Sequence, residues 1–222
     1  MLLVVAADWE SRVGQLLRCA RVQADAAWLA VGAPLAVSLG RCGLAWGRGL
    51  HPAPAAGEPL KCEGDGRAPA GVFALTALFG EAGADRALGG EARLPYLTTT
   101  PDLKCIDDPA SAYYNHIVAQ SAVARPDWTS CEDMLRTDDR YALGVVVAHN
   151  TAPVLAGAGS CIFLHVWAAP GVPTAGCTAM ALGDLQAIAG WLDATAAPLL
   201  VQLPQHAYEQ RRVAWSLPAW PT

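Results

Sequence analysis

Charge is scarce in this sequence, and the charge that is present does not cluster. Charged residues make up 16% of the 222 positions, and the formal net charge is -5. The 15 basic residues are scattered, with Arg211 and Arg212 as the only adjacent pair. Nucleic-acid binding depends on clustered Lys and Arg that contact phosphates, so this composition argues against a nucleic-acid partner.

Long apolar runs are missing as well. No run reaches the roughly 18 to 20 residues that a membrane-spanning helix needs, so we predict no membrane span. The apolar stretch after Met1 is too short for a signal peptide, lacks basic residues before it and soon meets Asp8. It is more typical of a first β-strand. If the protein is exported, we expect its export signal to lie outside this chain.

Recognisable phosphate-binding motifs do not occur in the segment where glycine is most frequent. Residues 40–71 are rich in glycine and proline but contain no Gly-x4-Gly-Lys-Ser/Thr pattern after a strand. We predict a long loop over 40–71, which ends at a strand over Val72–Leu75. A loop of this length in a compact domain is usually functional or partly disordered, and we hypothesise that it is a lid over a functional site.

What the sequence does contain is a series of short apolar segments. Over residues 1–50 these segments are separated by polar or glycine breaks, which favours strands over long helices. Three later segments also predict strands: YALGVVVAHN, SCIFLHVW and PLLVQLP. We therefore predict one domain over 1–222, mainly β with a few short helices (α+β).

Two segments predict helices. Leu182, Leu185, Ile188 and Leu192 form one apolar face, which predicts an amphipathic helix that begins near Asp184. Thr129 and Glu132 have the spacing of a capping box, which predicts a short helix that ends near Arg136.

The cysteine count limits the possible disulfide patterns. The chain has seven cysteines, so at least one is unpaired unless it bonds to another chain. Several disulfides with one free catalytic thiol fit this number, and so do seven reduced thiols. The pairing cannot be read from the spacing.

The stretch PTAGCTAM places Cys177 directly after Gly176, twelve residues beyond His165. A nucleophilic cysteine needs a base and is favoured by a helix N-terminus, and both are predicted nearby. Gly176 lets a substrate approach the backbone, where amide groups near Cys177 could form an oxyanion hole. Two alternatives remain open. In the first, Cys177 and His165 are ordinary core residues. In the second, Cys161, His165 and Cys177 bind a metal, with or without His149, although their spacing matches no usual zinc pattern.

A family resemblance favours catalysis. The segment Ile162–Met180, IFLHVWAAPGVPTAGCTAM, resembles the active-site motif of L,D-transpeptidases of the YkuD type, and Lys61–Phe73 resembles another segment of that family. Weaker likeness extends over Asp107–Asn115, Val145–Asn150 and Gly157–His165. The resemblance implies a β-sandwich catalytic domain, a cysteine nucleophile, no cofactor or metal, and peptidoglycan stem peptides as donor and acceptor. It also implies a periplasmic or cell-envelope location.

The roles that the resemblance implies can be assigned residue by residue. Cys177 matches the nucleophile, His165 the base, Gly176 the residue before the nucleophile and Thr174 the hydroxyl residue of the turn. The commonest form of the motif has His where this chain has Ala175 and Arg where it has Ala179. Further candidates for substrate binding are Lys61 and Arg67, which could pair with carboxylates, Trp167 as a pocket wall, and Tyr114.

The implied reaction is acyl transfer in two halves. Cys177 attacks the carbonyl at the L-centre of diaminopimelate and expels the terminal D-amino acid, after which an amine of a second stem peptide resolves the thioester. If water resolves it, the protein is an L,D-carboxypeptidase or a hydrolase that cleaves cross-links. A third reading, from another class, is a wall-binding module in which Cys177 is merely structural.

Overall fold

A computed structural model describes residues 1–23, 25–84 and 92–221. These residues form 13 β-strands and two short α-helices, so the fold is mainly β, as predicted. The strands are β1 (Leu2–Ala6), β2 (Val13–Ala20), β3 (Leu29–Ser38), β4 (Leu44–Trp46), β5 (Ala68–Gly80), β6 (Tyr96–Thr98), β7 (Leu103–Cys105), β8 (Ile117–Ala119), β9 (Glu132–Asp133), β10 (Leu143–Val147), β11 (Phe163–Val166), β12 (Thr178–Met180) and β13 (Leu199–Pro204). The helices are α1 (Leu182–Trp191) and α2 (Gln205–Arg211).

The main sheet closes on itself. Its strands follow the order β10-β11-β12-β3-β2-β1-β13-β5, and β5 pairs with β10 to complete the ring. The long strand β5 makes closure possible because Gly71–Ala74 pair with β13 while Leu75–Gly80 pair with β10. A closed barrel therefore stands where we expected a β-sandwich of two facing sheets.

Strand β1 is apolar along its whole length because both of its faces are covered. Every residue of β1 is buried, and its neighbours β2 and β13 contribute further buried side chains. The main core also includes Leu185, Ile188 and Leu192 from the predicted helical face, so α1 covers the sheet as expected. Leu182 is the exception on that face, since it is exposed.

A second, smaller sheet lies beside the barrel. It has three strands in the order β8-β7-β9, all antiparallel. A disulfide between Cys105, at the end of β7, and Cys161, just before β11, joins this sheet to the barrel. The disulfide lies in a second apolar cluster with Phe79, Phe163 and Cys177, so the small sheet packs next to the candidate nucleophile.

Two local predictions were wrong. Residues 129–136 form no helix, and β9 lies there instead, because tertiary partners take the two capping residues. The Thr129 backbone N–H and hydroxyl donate to Asp108, and Glu132 accepts from the Tyr141 hydroxyl. The segment 40–71 is not one loop, since β4 and the start of β5 lie inside it.

Other predictions were correct or remain open. The predicted strands correspond to β1, β2, β3, β5, β10, β11 and β13, and α1 begins at Leu182, two residues before Asp184. In the part of the chain that the structure describes, no helix is long and apolar enough to cross a bilayer. The single domain over 1–222 stays a prediction.

Candidate active site

Two neighbouring strands bring His165 and Cys177 together. Strands β11 and β12 pair in parallel, with Leu164 opposite Thr178 and His165 opposite Ala179. Cys177 immediately precedes β12, so its side chain lies near the strand that carries His165. Both side chains line one cavity of about 400 Å³. The remaining polar and aromatic members of this lining are Cys131, Glu132, Asp133, Arg136, Arg140, Tyr141, Trp167 and Thr174.

The side-chain alternation of β11 explains why His165 reaches the cavity. Ile162, Leu164 and Val166 face the main core, while Phe163 belongs to the second apolar cluster. His165 follows Phe163 by two residues and therefore lies on the same face of the strand. Both faces of β11 are covered, so an apolar segment was required here.

The Cys177 thiol is buried and hydrogen-bonded to the backbone. The Phe163 N–H donates to Sγ at 3.3 Å, and the thiol donates to the Cys161 carbonyl at 3.5 Å. Burial raises the pKa of Cys177 to about 12, and the nearby Glu132 carboxylate acts in the same direction. At neutral pH the group is therefore a thiol.

His165 is also buried and neutral. Its pKa is lowered to about 4, chiefly by burial and to a smaller extent by the positive charges of Arg140 and Arg136. Its Nδ1 lies 2.8 Å from the Val166 carbonyl, which accepts a hydrogen bond only if Nδ1 carries the proton. Nε2 is then the unprotonated nitrogen that can accept one. No hydrogen bond joins His165 to Cys177 among the described residues.

The turn before Cys177 is held by the Thr174 hydroxyl. That hydroxyl accepts from the Gly176 N–H at 3.1 Å and donates to the Cys177 carbonyl at 2.6 Å. The Thr174 backbone is fixed in turn, since its N–H donates to the Leu39 carbonyl and its carbonyl accepts from Arg41. A Cβ on Gly176 would lie 3.2 Å from the Arg67 carbonyl oxygen, so any side chain at this position requires a shift of a few tenths of an ångström.

Lys61 and Arg67 lie behind this turn and already have protein partners. Lys61 is buried, and its Nζ contacts Asp65 at 2.6 Å and the Cys62 carbonyl at 3.0 Å. The Arg67 guanidinium binds Glu10 at 3.1 Å and the Leu44 carbonyl at 2.8 Å. Neither side chain lines the Cys177 cavity.

Trp167 and Tyr114 have different surroundings. Trp167 is partly buried and forms part of the cavity wall. Tyr114 lies outside the lining and is buried, with its hydroxyl bonded to Glu63 and accepting from the Gly159 N–H at 3.1 Å. The structure therefore brings Trp167 to the candidate site and places Tyr114 in a neighbouring network.

The segment 40–71 lies beside a different cavity. Residues 46–54 and 60–62 line a space of about 670 Å³, together with residues 150–153 and 155–158. No residue of 40–71 lines the Cys177 cavity, so the hypothesis of a lid over that site has no support in this geometry.

The polar wall of the cavity, which β9 and the connection after it supply, was missed by the sequence analysis. Glu132 lies on β9, and Arg136, Arg140 and Tyr141 follow in the connection to β10. The Tyr141 hydroxyl donates to Glu132 at 2.6 Å, and the Tyr141 ring centre lies 5.4 Å from that of His165. The only sequence signal in this region was the capping box, which predicted a helix.

The helix N-terminus that we expected as a support for Cys177 is absent from the described structure. Cys177 is followed by strand β12, and α1 begins only at Leu182, so no helix N-terminus faces the thiol.

The metal reading fails because Cys161 is disulfide-bonded, and the described residues contain no group of three or more His, Cys, Asp or Glu that could hold an ion. His149 is buried, with its ring nitrogens bonded to Arg48 and Ala158.

Comparison with known proteins adds no assignment: no protein-family model, curated protein or solved structure matches the chain.

Proposed function

We propose that the protein is a cysteine-dependent acyltransferase, an L,D-transpeptidase acting on peptidoglycan stem peptides. One observation carries the proposal: a cysteine and a neutral histidine, 12 positions apart in the sequence, line the same cavity. A nucleophile and a base at one cavity are the minimum for acyl transfer through a thioester. The proposal includes the assignment of the fold to the L,D-transpeptidase catalytic domains. It also includes a location in the cell envelope.

The charge states favour proton transfer during attack over a preformed ion pair. With the pKa of Cys177 raised to about 12 and that of His165 lowered to about 4, both groups are neutral at pH 7. In the proposed step the Cys177 Sγ bonds to the substrate carbonyl carbon while its proton passes to His165 Nε2. The imidazolium then returns this proton to the leaving amine as the carbon–nitrogen bond breaks.

The backbone around Cys177 supplies the candidate oxyanion donor. The Gly176 N–H already donates to the Thr174 hydroxyl, so it is engaged in the turn. In the proposed mechanism the Cys177 N–H, the next amide along the chain, donates a hydrogen bond to the substrate oxygen on which negative charge develops. A donor fixed by such a turn needs little reorganisation when the charge develops.

The choice of stem peptides rests on the resemblance of Ile162–Met180, and the cavity is compatible with it. A volume of about 400 Å³ is in the range of small-molecule sites and can hold the end of a peptide. In the second half of the reaction an amine of another stem peptide attacks the thioester, and a cross-link forms as Cys177 is released.

Product analysis by mass spectrometry tests the proposal. Purified disaccharide-tetrapeptide is incubated with the wild-type protein, with Cys177→Ala, and with Cys62→Ala, which removes an exposed thiol that does not line the cavity. We expect cross-linked dimers and free D-alanine with the wild type and Cys62→Ala, and neither with Cys177→Ala. Tripeptide without dimers would instead identify a hydrolase. An unchanged substrate with wild-type protein would contradict the proposal.

A further inference from the structure

Two arginines on the cavity wall share one carboxylate. Arg136 binds Asp138 through two hydrogen bonds, of 2.8 Å from Nε and 2.9 Å from Nη2. Arg140 reaches the same carboxylate less closely, with its Nε 3.4 Å from Oδ2. The hydrogen bonds from Arg136 lower the pKa of Asp138 to about 2, so the carboxylate is ionised at neutral pH. One negative charge therefore faces two positive charges.

Arg140 is the member of this trio with binding capacity left. Its side chain is 48% exposed, and Asp138 is the only described partner of its guanidinium. The two Nη groups have no protein partner among the described residues. The backbone fixes the base of the side chain, because the Arg140 N–H donates to Asp138 Oδ1 at 3.2 Å.

The acidic groups of the lining have protein partners of their own. Asp133 is paired with Lys104, and Glu132 accepts the Tyr141 hydroxyl. On the opposite side, Ala179 is the strand partner of His165 and contributes only a methyl group to the lining. The cavity therefore combines an apolar wall with a guanidinium whose two Nη groups have no protein partner among the described residues.

We propose that Arg140, supported by the Arg136–Asp138 pair, binds the α-carboxylate of the residue that the reaction expels. This inference rests on the proposed function and names the group that the site selects. A guanidinium presents parallel N–H donors that match the two oxygens of a carboxylate. A free carboxylate lies next to the scissile amide only when the donor peptide ends at the residue to be expelled.

The same contact couples substrate binding to the base. The positive charge of Arg140 contributes to the low pKa of His165, so a carboxylate bound to Arg140 offsets that effect and raises the pKa of His165. His165 then accepts the Cys177 proton more readily in the complex than in the free protein. A peptide amide, which has no such charge, lacks this effect.

A binding experiment separates this proposal from catalysis. Isothermal titration calorimetry measures the affinity of Cys177→Ala for a stem tetrapeptide and for the same peptide with a C-terminal carboxamide. We expect the carboxylate form to bind at least about tenfold more tightly, in line with a charge-assisted hydrogen bond. In Cys177→Ala/Arg140→Gln the two peptides should bind equally, and Arg140→Lys should retain part of the preference.

Arg125→Gln, in the same Cys177→Ala background, is the control variant. It removes an exposed arginine that does not line the cavity and should leave the preference for the carboxylate peptide unchanged. A preference that survives Arg140→Gln, or no preference in Cys177→Ala itself, would overturn the assignment to Arg140. Neither result bears on whether wild-type protein forms Cys177-dependent products, so failure of this proposal is distinguishable from failure of the proposed function.

Discussion

The Phe163 N–H donates a hydrogen bond to Cys177 Sγ across 3.3 Å, at the point where β11 and β12 begin to run side by side. The candidate nucleophile is thus anchored to the strand that carries the candidate base. The same contact places the thiol in an apolar cluster, away from water. Burial and anchoring together determine how Cys177 should react.

Cys177 should react slowly with a general thiol reagent. Because burial raises its pKa to about 12, very little thiolate exists at pH 7, and the residue is only 8% exposed. Iodoacetamide at pH 7 should modify the exposed Cys62 at least about tenfold faster than Cys177. Peptide mass spectrometry over time measures both rates. Equal rates at the two cysteines would show that the thiol is not held as described.

Activity should persist to unusually low pH on its acidic side. His165 acts as a base only when neutral, and burial lowers its pKa from 6.5 to about 4. Activity is therefore present above the lowered pKa and is lost as the pH falls through about 4. The pH profile of kcat/KM, which reports the free protein, measures this limb. A half-maximal point near 6.5 would indicate an unperturbed histidine and would contradict the account.

Acidification should also lower the free energy of unfolding before it abolishes activity. His165 and His149 both have pKa values lowered from 6.5 to about 4 by burial. Their contribution to stability is complete above pH 6.5 and is lost as the pH falls toward 4, because the unfolded chain binds these protons first. Each group contributes a slope of up to about 1.4 kcal/mol per pH unit. Urea unfolding at several pH values measures it, and a flat free energy between pH 6.5 and 4 would be the contrary result.

The Thr174 hydroxyl should matter for catalysis more than its size suggests. Thr174→Val keeps the shape but removes both hydrogen bonds that order the Gly176–Cys177 turn, leaving the Gly176 N–H without its acceptor. We expect Thr174→Val to lower the transition-state stabilisation measured by kcat/KM, or the free energy of unfolding, by about 1–3 kcal/mol, which is the cost of a buried unpaired group. Thr174→Ser keeps the hydroxyl and is the matched control. Equal kcat/KM for the two variants would rule out this role.

The Cys105–Cys161 disulfide should stabilise the junction between the small sheet and the barrel. It spans 56 residues, so the loop-closure model assigns it about 4 kcal/mol, within the usual range of 2–5 kcal/mol for a native disulfide. We expect the Cys105→Ser/Cys161→Ser variant to lose about that much unfolding free energy in urea. Cys42→Ser, which removes a free cysteine, is the control. An unchanged midpoint in the double variant would show that the sheets are held by packing alone.

Strand positions were largely predictable because β1, β11 and β13 are short apolar runs bounded by breaks, whereas the long strand β5 was predicted only over Val72–Leu75. Closure of the barrel was not, because it depends on pairing between β5 and β10, whose residues are far apart in the sequence. The capping box of Thr129 and Glu132 predicted a helix that does not form, for a related reason. Both side chains bond to residues outside the local segment, and these tertiary contacts override the local preference.

The candidate site was predictable only in part. Cys177, His165, Gly176 and Thr174 lie in one motif, and the structure places them around one turn and one strand pair. The opposite wall, with Arg140 and Tyr141, belongs to a connection whose position depends on packing beside the disulfide-linked small sheet. No local pattern encodes such an arrangement.

The central claim is that Cys177 carries the acyl group as a thioester. Intact-protein mass spectrometry of wild-type protein, quenched in acid during turnover of disaccharide-tetrapeptide, tests this claim most directly. We expect an added mass equal to the donor without its terminal D-alanine, located on the peptide that contains Cys177 and absent from Cys177→Ala. Turnover without an adduct on Cys177, or an unchanged adduct in Cys177→Ala, would contradict the account.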